Sequence, residues 1–179
     1  QNAVDISNVL RVEFDDNVFA TSSDKTESFK VTEQIELLFD TEQGPTYLGF
    51  VYSPSFVYYE NRPSDDFDFN HLLDASLIHK FSPTSVFQIK ETFRRSEEPE
   101  LIEDGVQFRK NNDFNYNSLN ANYRTEVVPD KMDIQLDARY VLLRYDEGDV
   151  SDASDYDQLT GGLTVIRQLS PNTNGSAEF

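Results

Sequence analysis

Met132–Tyr145, MDIQLDARYVLLRY, is the stretch whose reading decides the fold. Taken every second residue, Met132, Ile134, Leu136, Ala138, Tyr140 and Leu142 fall on one side. Asp133, Gln135, Asp137 and Arg139 fall on the other. Side chains of a strand alternate between faces with period two, so the stretch is a strand with an oily side and a charged side. It runs well past the usual five or six residues of a globular strand. A long strand with a whole ionic face fits a wall between lipid and water, for which about 9–11 residues with this alternation suffice.

The same alternation recurs outward from this stretch. Upstream, it reads over Val4–Phe14, Phe29–Phe39, Thr46–Glu60, Phe67–Phe81, Val86–Arg95 and, more weakly, Asp113–Glu126. Downstream it reads over Tyr156–Leu169, and Gly175–Phe179 looks like the start of one more strand. Thr46–Glu60 is the most apolar of these, and Pro54 inside it predicts a bulge or a position without a ladder bond. Short connections (TEQGP at 41–45, SPTS at 82–85, VPDK at 128–131, SPNTN at 170–174) alternate with longer polar ones near Ser22, Arg62, Glu100 and Asp149. About eight strands joined in this rhythm predict an antiparallel up-and-down β-barrel of one domain over residues 1–179, or a contiguous part of a larger barrel. Short turns would be periplasmic and long loops extracellular. The one helical signal is a short turn within Ser96–Val106.

Composition narrows the function. The chain has 179 residues, no Cys and a formal net charge of -18, with a sequence pI near 4.3. It has no disulfide framework and no thiol chemistry. So acidic a chain repels nucleic acid and does not dock on anionic headgroups by charge. Nine Tyr and fourteen Phe are too many for a disordered acidic chain. The mean hydropathy of -0.58 is compatible with a barrel, because alternation averages the two faces. Aromatics gather near strand ends, at Tyr47, Tyr58, Tyr59, Phe67, Phe69, Tyr140 and Tyr145, as in the girdles of membrane barrels. A soluble sandwich or lipocalin-like barrel, binding a ligand, a carbohydrate or a partner as an adhesin does, alternates in the same way with its oily face inward. Sequence gives the alternation and leaves its direction to bulk and strand length, which favour outward.

DDNVFAT (15–21), ETFRRSEEP (91–99) and DYDQLTGGLTVIRQLSPNT (155–173) resemble outer-membrane β-barrel proteins of Gram-negative bacteria, the porin-like barrels. The resemblance is one of recurring style over most of the chain. It implies an outer-membrane location, lipid and lipopolysaccharide as neighbours, and passage of small solutes or a structural role. It implies no catalytic residue and no cofactor. Many such barrels close on a terminal aromatic residue. Phe179 fits, but Ala177, Gly175, Thr173 and Pro171 behind it make no oily face. The terminal Phe is therefore read as accidental and the chain as stopping inside a hairpin, so closure needs further strands or another chain. FSPTS (81–85) beside LSPNT (169–173) points to a repeated hairpin unit.

The candidate functional residues are the charges on the polar face: Arg11, Glu13, Lys30, Glu36, Arg94, Arg124, Asp133, Asp137 and Arg139. Facing a lumen they would tune a pore, or fill a narrow barrel as a salt-bridge network. Arg167 joins them only if its strand is bulged, since it shares parity with Leu163 and Val165. His71 and His79 share the apolar side of one strand, about 25 Å apart, and are read as interfacial residues with no role as metal ligands or catalytic bases. The acidic run Asp146, Glu147, Asp149, Asp152, Asp155, Asp157 lacks the spacing of a Ca²⁺ loop. It reads as a solvated loop where divalent cations bridge to lipopolysaccharide phosphates. No carboxylate pair stands out for catalysis, and the chain is read as a non-enzyme.

Overall fold

The structure, a computed structural model, describes residues 2–17, 25–62, 66–96, 101–103, 106–108, 113–145, 155–170 and 173–179. In chain order the strands are β1 (Asn2–Asp15), β2 (Ser28–Gln43), β3 (Thr46–Tyr52), β4 (Ser55–Tyr59), β5 (Phe67–Ser82), β6 (Ser85–Ser96), β7 (Leu101–Glu103), β8 (Val106–Phe108), β9 (Phe114–Val128), β10 (Met132–Tyr145), β11 (Tyr156–Ser170) and β12 (Thr173–Glu178). One antiparallel sheet runs β1-β2-β3-β5-β6-β9-β10-β11-β12, with β4 beside β3 between β2 and β5. Strands adjacent in sequence are adjacent in space, the up-and-down order that tight turns impose. Among the described residues the sheet is open. β1 and β12 lie at its two ends and make no contact with each other. The helical turn expected within Ser96–Val106 is replaced by the small hairpin β7–β8, with Glu103 opposite Val106. Asp104-Gly105 between them is the strongest short hairpin signal, and it outweighs the acidic run.

β3 and β4 are one strand with a proline in it. Leu37 lies opposite Tyr52 and Gln34 opposite Ser55, so the register with β2 is unbroken across Pro54. The register with β5 is likewise continuous. No bulge forms. Ile35 N–H donates to the Pro54 carbonyl at 3.1 Å, but the reciprocal bond is missing because proline has no N–H. The cost is one ladder bond, on the β2 side only. Ser53 N–H still donates to Leu72 of β5 at 2.8 Å.

The tight turns sit together at one end. Gln43 pairs with Thr46 across Gly44-Pro45, with Gly44 at φ 57, the left-handed first position that a type II′ hairpin requires. Lys131 N–H donates to the Val128 carbonyl at 2.9 Å, with Pro129 next and Asp130 at φ 54, a type II turn carrying Asp where Gly is usual. The repeated motif reappears as repeated geometry. The ladder shifts between Lys80 and Ser82 and again between Gln168 and Ser170. The skipped residues, Phe81 and Leu169, occupy the same place in FSPTS and LSPNT and are each 65% exposed.

Directly opposed residues of an antiparallel pair share a face, so the registers trace each face across the sheet. Leu136 lies opposite Tyr123 and Leu163, Tyr123 opposite Phe87, Phe87 opposite His79, and His79 opposite Thr46. The next rows carry Leu77 with Leu48 and Ile89, and Phe50 with Phe39, which reaches Val4 on β1. This apolar face is the open one. Val4, Ile6, Leu10, Val12, Phe14, Phe29, Leu48, Phe50, Tyr58, Phe67, Leu119, Leu136, Tyr140 and Leu159 lie on it and are exposed. The buried apolar residues Val57, Tyr59, Phe114, Val141 and Leu143 all lie on the opposite face, at the long-loop end. The side chains that shield one another are thus on the polar face. The accessible surface of 12029 Å² far exceeds the about 8,900 Å² of a compact monomer of 20.6 kDa.

Candidate functional site: the charged inner face

All the charges singled out in the sequence share the polar face, called the inner face below. Glu13 lies directly opposite Lys30. Arg11 lies opposite Thr32, and Glu36 opposite Ser7. Arg94 lies opposite Tyr116 of β9 and Leu72 of β5. Arg124 Nε donates to Asp133 Oδ2 at 3.1 Å, and its Nη2 donates to the same oxygen. Asp137 accepts from Asn122 at 2.6 Å and from Gln135 at 3.1 Å. Arg139 lies between Asn120 and Thr160 and is exposed. By contrast, among the described strand residues the outer face carries only Glu33, Glu91, Asp157, Arg95, Arg144 and Arg167 as charges. Arg167 stays there because β10 and β11 pair without a bulge, placing it opposite Met132.

At the long-loop end the inner face is dry. Tyr59 is 1% exposed, with the Arg62 guanidinium 4.4 Å and the Lys30 ammonium 5.6 Å from its ring centre. Arg62 forms an ion pair with the buried Asp68. Ser28, also buried, accepts from Asn61 N–H at 3.1 Å and donates to the Phe29 carbonyl. This cluster was not singled out in the sequence, where Arg62 falls in a polar loop and Asp68 is one of many acids. Its available signal is the parity of Tyr59 and Asp68, which puts both on the polar face of adjacent strands.

Nearer the tight turns the inner face is grooved. Asp40 lies opposite Gly49, Gly49 opposite Ser76, and Ser76 opposite Lys90. The two small residues leave a depression of about 320 Å³ between the acid and the base, bordered by Tyr47, Asp74 and Thr92. The Tyr47 ring lies over Gly49 so closely that a Cβ there would stand 2.5 Å from its Oη. Asp74 accepts from Thr92 Oγ1 at 2.6 Å. Asp40 and Lys90 have no ion pair among the described residues.

The histidines sit on the outer face in separate pairs. His71 Nδ1 is 2.6 Å from Tyr52 Oη, and His79 Nδ1 is 2.8 Å from Thr46 Oγ1. Of the acidic run, Asp146, Glu147, Asp149 and Asp152 lie outside the described residues. Asp155 and Asp157 flank Arg144 at 3.9 and 3.6 Å, and Asp155 also accepts from Tyr145 N–H. No group of three or more metal-ligating side chains is gathered among the described residues. Phe179, read as accidental, exchanges both backbone hydrogen bonds with Leu163 and so continues the outer apolar row. No family model, curated protein or solved structure matches this chain.

Proposed function

We propose that the sheet is the wall of an outer-membrane β-barrel, apolar face to lipid and charged face around water, serving porin-like passage of small solutes or a structural role. One observation supports the reading: most of the exposed large apolar residues lie on the apolar face, with Val9 on the other, while the buried apolar residues lie on the polar face, as in a sheet curved around its polar side. A water-soluble sheet hides its oily side, because each buried Leu or Phe contributes about 1.5–3 kcal/mol. The long strands, such as the 16 residues of β5, also exceed what a bilayer crossing needs. The edge strand β1 adds support. Its 14 residues have no Pro and no bulge, leaving an unprotected edge of the kind that a closed barrel covers. Charged inner residues that remain exposed favour a wide arc over a narrow, filled cylinder. Lipopolysaccharide with bridging divalent cations is the expected neighbour of the acidic loops, and EDTA should then raise loop cleavage by protease.

The test is a label scan of β10. Spin or fluorescent labels at Leu136 and Tyr140 should report a lipid environment in vesicles, and labels at Asp137 and Arg139 an aqueous one. A monodisperse species in plain buffer, with labels at Leu136 and Tyr140 reporting water whether or not vesicles are present, would overturn the reading in favour of a soluble binding module.

A further inference from the structure

We infer that the open edge of β1 pairs with β1 of a second copy of this chain, antiparallel and with Asn8 on the twofold axis. This goes beyond the membrane reading and does not rest on it. Among the described residues β1 contacts β2 alone, so the other side of its 14 residues presents a full row of backbone donors and acceptors. Ile6 N–H donates to Asp5 Oδ1 at 2.9 Å, a stand-in partner for a group that points away from β2. Ladder groups alternate along an antiparallel strand, so the even-numbered residues from Val4 to Val12 turn theirs to the open side. Asp5 and Arg11, both on the inner face, have no ion pair among the described residues.

The sequence of β1 is complementary to itself in one register. With Asn8 opposite Asn8 of the second copy, Asp5 lies opposite Arg11 of the second copy, and the symmetry makes that pair twice. On the apolar face Ile6 lies opposite Leu10 and Val4 opposite Val12, again twice. Opposite charges and β-branched apolar pairs directly across a ladder each stabilise it. Neighbouring registers lose both. An axis on Val9 sets Asp5 against Glu13 and Asn8 against Leu10, and an axis on Ser7 sets Asp5 against Val9 and Ile6 against Asn8. In the favoured register Ile6 N–H exchanges its own neighbour's carboxylate for the Leu10 carbonyl of the second copy, which frees Asp5 for Arg11. The axis turns one copy end for end, so its tight turns stand beside the long loops of the other. A bilayer with all tight turns on one side excludes that arrangement. The pair therefore belongs to the chain outside lipid, and insertion must part it.

The chain has no Cys, so a single introduced cysteine can form a disulfide only with a second copy. Directly opposed, hydrogen-bonded residues stand about 5.5 Å apart between Cα atoms, within disulfide reach. In detergent micelles, Asn8→Cys should therefore oxidise to a covalent dimer. Val12→Cys, about 27 Å from Val12 of the second copy, should stay reduced. Sedimentation of the cysteine-free chain reads the charges. Asp5→Arg and Arg11→Asp should each weaken the dimer by about tenfold, two attractions becoming two repulsions. The two substitutions in one chain exchange the charges and should return the affinity to within about threefold of the parent. Far-UV circular dichroism of these variants should match the parent, since neither residue has an ion pair to lose. A chain that stays monomeric at every concentration, equal cross-linking at Asn8 and Val12, or no recovery in the exchanged chain overturns the proposal. None of these outcomes bears on the label scan of β10, which judges the membrane wall separately.

Discussion

The two faces of β10 use similar residues and give them opposite surroundings. On the polar face Val141 is 3% and Leu143 is 4% exposed. On the apolar face Leu136 is 49% and Tyr140 is 38% exposed. Hydrophobicity alone does not separate them. Position does: Val141 and Leu143 sit on the polar face near the long-loop end, on the same face as Phe114 of the neighbouring strand, while Leu136 and Tyr140 sit on the apolar face. The difference teaches that this sheet is held by its ladder and by buried residues on its polar face, around Tyr59 at one place and around Val141 and Leu143 at another, and that its large oily surface contributes only when something apolar covers it.

The largest test of that contrast lies in the dry cluster. Asp68→Ala leaves the Arg62 guanidinium buried without its carboxylate, and such a loss costs about 3–5 kcal/mol. Leu143→Ala should cost about 2–5 kcal/mol, both losses being read by denaturant titration. Leu136→Ala in water should stay within about 0.5 kcal/mol. Equal losses at Leu143 and Leu136 in plain buffer would break the comparison, because they would place both faces in a protein interior.

The next effect moves the contrast into lipid. Leu136→Arg should cost about 2–4 kcal/mol for the chain folded into bilayers, the range for a basic residue on the lipid face near mid-membrane. The same replacement at the inner, exposed position Thr160, opposite Arg139, should cost far less. A smaller effect concerns neither face. Asp130 holds φ 54 in its turn, a region costing an ordinary side chain about 1–2 kcal/mol and Asp somewhat less. Asp130→Gly should therefore raise the unfolding free energy by up to about 1 kcal/mol, with no change in either face's accessibility to labels.

Much of this was legible in the chain, for one physical reason. Side-chain alternation is a local property of extended backbone, so the polar and apolar sets of Val4–Phe14 or Met132–Tyr145 can be read without any partner. The register of β10 with β11 is a pairing property, and sequence left Arg167 undecided until Met132 was found opposite it. Direction, toward lipid or toward a core, is no property of alternation, and bulk and strand length alone were grounds for expecting the apolar face outward. Pro54 was expected to bulge its strand or to sit without a ladder bond, and the structure has the second, with the ladders to β2 and β5 otherwise continuous. The groove was missed because its shape comes from Gly49 and Ser76, two residues with no chemistry of their own, aligned across strands by pairing. The Tyr59–Arg62–Asp68 cluster was missed because a loop cation folds back onto the sheet, which alternation cannot foretell.

The smallest effect is the most discriminating for the inner face. Arg124 and Asp133 are paired near the tight turn that joins β9 to β10, with the arginine side chain about half exposed. If the inner face meets water, a double-mutant cycle with Arg124→Gln and Asp133→Asn should return a coupling of about 0.2–1 kcal/mol. The coupling should shrink further as salt is raised toward 1 M, where the screening length falls to about 3 Å. A narrow barrel packed with its own side chains would give a different answer, since removing one partner of a buried pair costs about 3–5 kcal/mol and salt screens it little. The size of this one coupling therefore separates a water-lined wall from a filled cylinder, even though the same residues, hydrogen-bonded in the same way, form both.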